Sequence, residues 1–174
     1  MKLIELHEQR RTIYLDLDGV LADFDSSVKS QTGKYPNEQK DDDMWKAVQE
    51  IPNFYRHLDK MTGADNFFER IKSIAGGYDY DVKILTAIPR KSSMPSASDD
   101  KKEWVKEHFG DIEVVLGPYS RDKWKHARKN DVLIDDRKSN IDEWINKGNA
   151  YGILYKNAKQ SADQLSNYLG ELHG

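Results

Sequence analysis

"TIYLDLDGVLADFD", residues 12–25, is an apolar run that ends abruptly in two aspartates, Asp16 and Asp18, with Gly19 directly after them. A carboxylate at the end of a buried strand loses hydration that an apolar interior does not replace. Two of them, one residue apart, demand a compensating charge. The fold and the chemistry both follow from asking what else gathers at this strand end.

Four more apolar runs resemble the first: "DVKILT" (81–86), "IEVVLG" (112–117), "DVLIDD" (131–136) and "AYGILY" (150–155). Their near-continuous apolar character, without strict alternation, predicts parallel strands covered on both faces. The stretches between them are helical. "SDDKKEWVKEHFG" (98–110) has Ser98 as N-cap, Asp99 and Asp100 at the positive end and Gly110 as a stop, with Trp104, Val105, His108 and Phe109 on one face. Ile141, Trp144 and Ile145 form the stripe of the next helix. Asn157 and Gln160 are spaced as a capping box for a last helix that turns Ala162, Leu165, Tyr168 and Leu169 inward.

Strands alternating with helices predict an α/β fold with a doubly wound core. The interval 26–75 departs from the alternation. It carries helical signals at Trp45, Val48, Phe67, Ile71, Ile74 and Ala75 and loop signals in "TGKYPN" and "IPN", but no strand. It reads as a small helical cap inserted after the first strand, with residues 1–25 and 76–174 forming the core.

The 174 residues suffice for one substantial core and a small appendage. A net charge of −3 argues against stable, non-specific nucleic-acid binding. The absence of cysteine excludes disulfides, thiolate zinc sites and a cysteine nucleophile. No apolar run has the length of a membrane span or a signal-peptide core, so no membrane partner is expected and the cytoplasm is the default location. His7, His57, His108 and His126 lack metal-ligand spacing and receive no role.

Ligands of open α/β sheets bind beyond the carboxyl ends of the strands. There the sequence offers Asp16 and Asp18 after the first strand, Thr86 after the second, and Asp135 and Asp136 after the fourth. Lys123 comes from "SRDKWKH" just before that fourth strand. Clustered acids of this kind suit a hard divalent cation such as Mg²⁺, which takes oxygen ligands and neutralises an incoming phosphate. A carboxylate in line can then attack phosphorus while a lysine and a hydroxyl hold its oxygens. Lys123 lies in "RDKWKHARK", a stretch that also reads as a solvated face, with Lys125 as its rival.

"DLDGVLADFD", "LTAIP", "SRDK" and "LIDDR", in this order and spacing, resemble the haloacid dehalogenase superfamily of phosphotransferases, and most closely its 5'(3')-deoxyribonucleotidases. The resemblance implies a Rossmann-like three-layer core and Mg²⁺-dependent hydrolysis of phosphomonoesters. By position, it implies that Asp16 is the nucleophile and a metal ligand. Asp18 would be the acid and base, lending its backbone carbonyl to the metal. Thr86 and Lys123 would bind the phosphoryl group, and Asp136 would complete the metal site with Asp135 supporting it. In that family an aromatic pocket on the cap side receives the base; Phe24 matches its first residue, and Trp45, Phe54 and Tyr55 are further candidates. The second motif departs from the family's Thr-Ser-Pro by reading Thr86, Ala87, Ile88, Pro89, and Arg90 is the candidate replacement for the missing hydroxyl.

The expected substrate is a small phosphomonoester, a (deoxy)ribonucleoside monophosphate. A polynucleotide 3'-phosphatase, with Lys101, Lys102, Lys106, Lys123, Lys125, Arg128 and Lys129 lining a groove, and a sugar-phosphate phosphatase stay open. So does a receiver-like module phosphorylated on aspartate, although there the phospho-accepting aspartate ends a central strand and the acid pair ends the first. A homodimer is left open as well.

Overall fold

A computed structural model describes residues 9–174; His7 and most of the charged N-terminal stretch lie outside the described residues. Five strands, β1 (Thr12–Leu15), β2 (Asp81–Thr86), β3 (Val114–Leu116), β4 (Val132–Asp135) and β5 (Tyr151–Leu154), form one sheet in the order β3-β2-β1-β4-β5. All neighbouring pairs are parallel. The helices are α1 (Phe24–Thr32), α2 (Asp41–Gln49), α3 (Ala64–Gly77), α4 (Ala97–Phe109), α5 (Lys138–Asn146) and α6 (Ala158–His173), with 3₁₀ turns at Pro36–Glu38, Phe54–His57 and Ser120–His126. No described helix is long and apolar enough to cross a membrane.

Side chains alternate across a strand, so each apolar run serves two cores. Ile13, Leu15, Ile84, Val132, Ile134 and Ile153 enter one core with Ile71 of α3, Trp104 and Val105 of α4, and Leu165 and Leu169 of α6. Tyr14, Leu85 and Leu133 face the other way, against Ile141 and Trp144 of α5. Both faces are thus covered, which is the layered α/β architecture the runs require. Two local expectations fail. α4 starts at Ala97, because Ser96 precedes it and donates its hydroxyl to Asp100 Oδ2 at 2.8 Å; Ser98 lies inside the first turn and caps nothing. Ile145 rests over Gly152 on the edge strand, where a sheet offers cover on one side only, and stays 44% exposed.

The interval 26–75 divides by what it packs against. α1 and α2 pack on each other, and the 3₁₀ turn at Phe54–His57 lies on α4, where Trp104 Nε1 donates to Leu58 O at 2.7 Å. α3 instead packs on β2 and α6, burying Phe67, Phe68, Ile71 and Ala75. It is the crossover helix between two parallel strands, a connection that must pass over the sheet.

Candidate active site

β1 is the central strand, flanked by β2 and β4, so the residues that end these three strands meet at one edge. The ladder carries on past β1, with Asp16 N donating to Ile134 O at 2.9 Å. The chain then folds tightly: Leu21 N and Ala22 N both reach Leu17 O at 2.9 Å. Within this turn Gly19 has φ of +82°, a conformation that L side chains avoid, and a Cβ there would collide with the Asp136 carboxylate. Glycine therefore lets the turn after Asp18 and the loop after β4 close on each other.

Lys123, 1% exposed, sits beneath this junction. Its Nζ donates to Asp16 Oδ1 and to Asp135 Oδ2, each at 2.7 Å. Asp135 is fully buried and both of its oxygens are occupied, Oδ1 by Arg137 N at 2.8 Å and Oδ2 also by Asn140 Nδ2 at 2.9 Å. Burial acts to lower the Lys123 ammonium, but the Asp16 and Asp135 carboxylates outweigh it and hold it protonated. Burial, and then the charge of Asp135, pushes Asp16 up to about 8 despite the lysine. Asp136 is pushed up to about 6, by burial first and Asp135 second.

The sequence places Lys101 only in the basic groove of the polynucleotide alternative, whereas the structure buries it within the site. Lys101, on α4 and also 1% exposed, donates to Asp18 Oδ2 at 2.6 Å, to Ala87 O at 2.7 Å and to Thr86 Oγ1 at 3.1 Å. Its Nζ lies 4.3 Å from the centre of the Tyr55 ring, within cation–π range. Burial, and then the Asp18 charge, raises the Tyr55 phenol well above its ordinary value. The other Asp18 oxygen, Oδ1, is buried with no hydrogen-bond partner. An unsatisfied buried acceptor is costly, and this oxygen is open to a donor from a bound molecule.

These residues floor a cavity of about 410 Å³. Asp16, Asp18, Lys101, Lys123 and Asp136 line its base, and Phe24, Met44, Trp45 and Tyr55 its cap side. Phe24 packs against Trp45, Phe54 and Tyr55 at ring-centroid distances of 5.9, 5.7 and 6.2 Å. Phe54 lies behind this wall and does not line the cavity. Nor does Thr86, fully buried, whose hydroxyl accepts from Lys101 and donates to Ala87 O. Arg90 is exposed and outside the lining, while Arg137 is inside it. Because Lys101 and Lys123 are buried beneath the cavity, the seven basic residues form no single groove.

Oxygens of Asp16, Asp135 and Asp136 come within 4.8 Å of one another. With Asp18 and the cations Lys101, Lys123 and Arg137, these acids make a crowded, charged junction in which burial first, and the Asp135 charge second, raises Asp16 and Asp136. A divalent cation fits this donor set, because it takes oxygen ligands and offsets clustered carboxylates. Asp16 and Asp136 are the open ligands, since Asp135 is committed to Lys123, Asn140 and Arg137.

Residues 10–163 match the family described as 5' nucleotidase, deoxy (pyrimidine), cytosolic type C protein. Over 131 residues the chain is 29% identical to a protein of Vibrio phage KVP40 named, provisionally, as a 5'(3')-deoxyribonucleotidase, a match spanning 74% of this chain and 67% of the phage protein. With four acids at the ends of β1 and β4, two buried lysines and an aromatic-walled cavity, the chain belongs to this deoxyribonucleotidase-type 5'-nucleotidase family.

Proposed function

We propose that this protein is a Mg²⁺-dependent phosphomonoesterase that dephosphorylates (deoxy)ribonucleoside monophosphates through an aspartyl-phosphate on Asp16. Membership of its family makes the chain a hydrolase of phosphomonoesters, of the nucleotidase type. The observation that carries the finer reading is one cavity with Asp16 and Asp18 on its floor and Phe24, Trp45 and Tyr55 on its cap side. Such a cavity matches a molecule that is a phosphate at one end and an aromatic base at the other.

In this reading an Asp16 carboxylate oxygen attacks phosphorus, and the bond from phosphorus to the sugar oxygen breaks. Asp18 gives its proton to the departing alkoxide. Water then attacks the phosphorus of the aspartyl-phosphate, Asp18 takes back a proton, and inorganic phosphate leaves with Asp16 restored. Lys123 keeps Asp16 oriented, and Lys101 positions Asp18 and meets a phosphoryl oxygen. Thr86 contributes by orienting Lys101. The carboxylates of Asp16 and Asp136 and the backbone carbonyl of Asp18 would hold the metal, with Asp135 fixing Lys123 between them. Bound Mg²⁺ would neutralise the phosphate and favour in-line attack. The cap is best drawn as residues 24–58, since α3 packs on the sheet; Phe24 and Trp45 are its base-stacking residues.

The test is phosphate release with Mg²⁺ from deoxy- and ribonucleoside 5'- and 3'-monophosphates, sugar phosphates and a 3'-phosphorylated oligonucleotide, with Asp16→Asn as the blank. Release from dUMP or dTMP should exceed the blank by about 10⁴-fold or more, the scale for loss of a nucleophile. Release chiefly from the oligonucleotide or a sugar phosphate, or none above the blank, would overturn the nucleotide assignment.

A further inference from the structure

The cavity sorts its charges by origin. Its three lining cations, Lys101, Lys123 and Arg137, come from α4 and from the segments on either side of β4. The lining charges contributed by the helices above are both negative: Asp25 in the first turn of α1 and Asp41 in the first turn of α2. Asp25 takes no hydrogen bond and joins no ion pair among the described residues. Asp25 is exposed at the cavity wall, and partial burial, followed by the Asp23 and Asp18 carboxylates, raises its pKa. It directly follows Phe24, part of the aromatic wall. Asp25 thus lines the same cavity as the floor carboxylates and is joined directly to an aromatic-wall residue, which suits it to the part of a nucleotide that links phosphate to base.

We propose that Asp25 accepts a hydrogen bond from a sugar hydroxyl of the substrate, and that Asp25 and Asp41 together turn away substrates bearing a second phosphate on that side. This rests on the nucleotide reading above. A hydroxyl donates readily to a carboxylate that has no other partner, and a charged acceptor makes the stronger kind of hydrogen bond. A second phosphate brought against the same exposed carboxylates meets like charge at the cavity wall. The site is then specific for a nucleotide with one phosphate and a free sugar hydroxyl.

The experiment compares kcat/KM for release of the 5'-phosphate from thymidine 5'-monophosphate, its 2',3'-dideoxy analogue and thymidine 3',5'-bisphosphate. The wild-type protein should prefer the monophosphate to the dideoxy analogue by about tenfold and to the bisphosphate by at least as much. In Asp25→Ala, which removes the acceptor as well as the charge, the first ratio should collapse toward one and the second should fall several-fold. Asp41→Asn should relax the second ratio and keep the first. A misfolded variant would lose all three activities together, so the ratios separate recognition from structural damage. Wild-type preference below twofold, or ratios that Asp25→Ala leaves unchanged, would overturn the inference while nucleotide hydrolysis stands. Hydrolysis of a sugar phosphate with none of the three nucleotides would fail the nucleotide reading itself and this inference with it.

Discussion

Two lysines lie at the same depth in this site, and they answer to different partners. Lys123 is clamped between two carboxylates, Asp16 and Asp135, at 2.7 Å each. Lys101 has one carboxylate, Asp18 at 2.6 Å, and completes its shell with a carbonyl, a hydroxyl and the face of Tyr55. Lys123 is a structural charge: it allows two acids to be buried side by side. Lys101 is the more adjustable one, because three of its four contacts are neutral groups. The comparison teaches that a buried ammonium can be fixed by what it must neutralise or by what it must approach.

Lys123→Met should break the molecule as well as the reaction. Removing it leaves Asp16 and Asp135 buried without their shared cation, and breaking a buried pair destabilises by about 3–5 kcal/mol. Thermal unfolding without metal should show a large fall in Tm, and phosphate release should be lost. A Tm close to that of wild type would mean that protonation of the acids replaces the lysine, and the distinction between the two lysines would collapse. Lys101→Met should do the reverse. It should lower kcat/KM by about 10²–10³-fold, the scale for one removed donor at a transition-state oxygen. Its stability loss should be smaller than that of Lys123→Met, since only one carboxylate loses its partner. Equal losses of stability in the two variants would erase the contrast.

The two lysines also differ in how visible they are in the sequence. Lys123 closes a recognisable "SRDK" and can be placed by its distance from "LIDDR", even inside a basic run that looks solvated. Lys101 sits in "SDDKKEWVKEHF", three and four residues before Trp104 and Val105 and so on the same face as that buried stripe; the spacing marks it as inward, and only its charge, in a stretch rich in charged residues, makes it read as solvated. Its burial is a tertiary fact: α4 enters beneath the 3₁₀ turn at Phe54–His57, and the side chain points back along the helix toward the ends of β1 and β2. The strands were legible because each is a nearly unbroken apolar run, and the acids because strand ends concentrate ligands. The boundary inside 26–75 was not, since α1, α2 and α3 share the same periodicity and differ only in what they pack on. Arg90 lies exposed and outside the lining for a related reason, because proximity to Thr86 along the chain does not fix where a loop residue turns.

The acids around Lys123 give a pH test on that side alone. Asp16 is held at about 8 and Asp136 at about 6, above an ordinary aspartate near 4. Below about pH 4 both states carry these protons and there is no penalty. Between about pH 4 and 8 the unfolded chain releases them while the native protein keeps them, so stability falls as pH rises and levels off above the native value. The metal-free protein should therefore lose Tm from pH 5 to 8. Asp16→Asn should flatten most of that slope, whereas Lys101→Met should keep it. Mg²⁺, which favours the ionised acids, should raise Tm more at pH 8 than at pH 5. A flat profile in the wild type would mean that Lys123 already compensates both of its acids.

Tyr55 gives the smallest effect and the sharpest view of the Lys101 side. Its ring covers the ammonium at 4.3 Å, and a cation–π contact of this kind contributes roughly 0.5–2 kcal/mol. Tyr55→Phe keeps the ring and should hold kcat within about twofold. Tyr55→Leu keeps bulk but removes the quadrupole, so Lys101 loses one of its neutral partners and kcat should fall by about three- to tenfold, since 1.4 kcal/mol is a factor of ten. Because Tyr55 also lines the cavity, a base contact would register in KM instead of kcat. A kcat loss in Tyr55→Leu that Tyr55→Phe does not share assigns the ring to the lysine. A matched loss in both would point to the phenol, whose hydroxyl has no hydrogen-bond partner among the described residues, and would move Tyr55 from the lysine's shell to the substrate's.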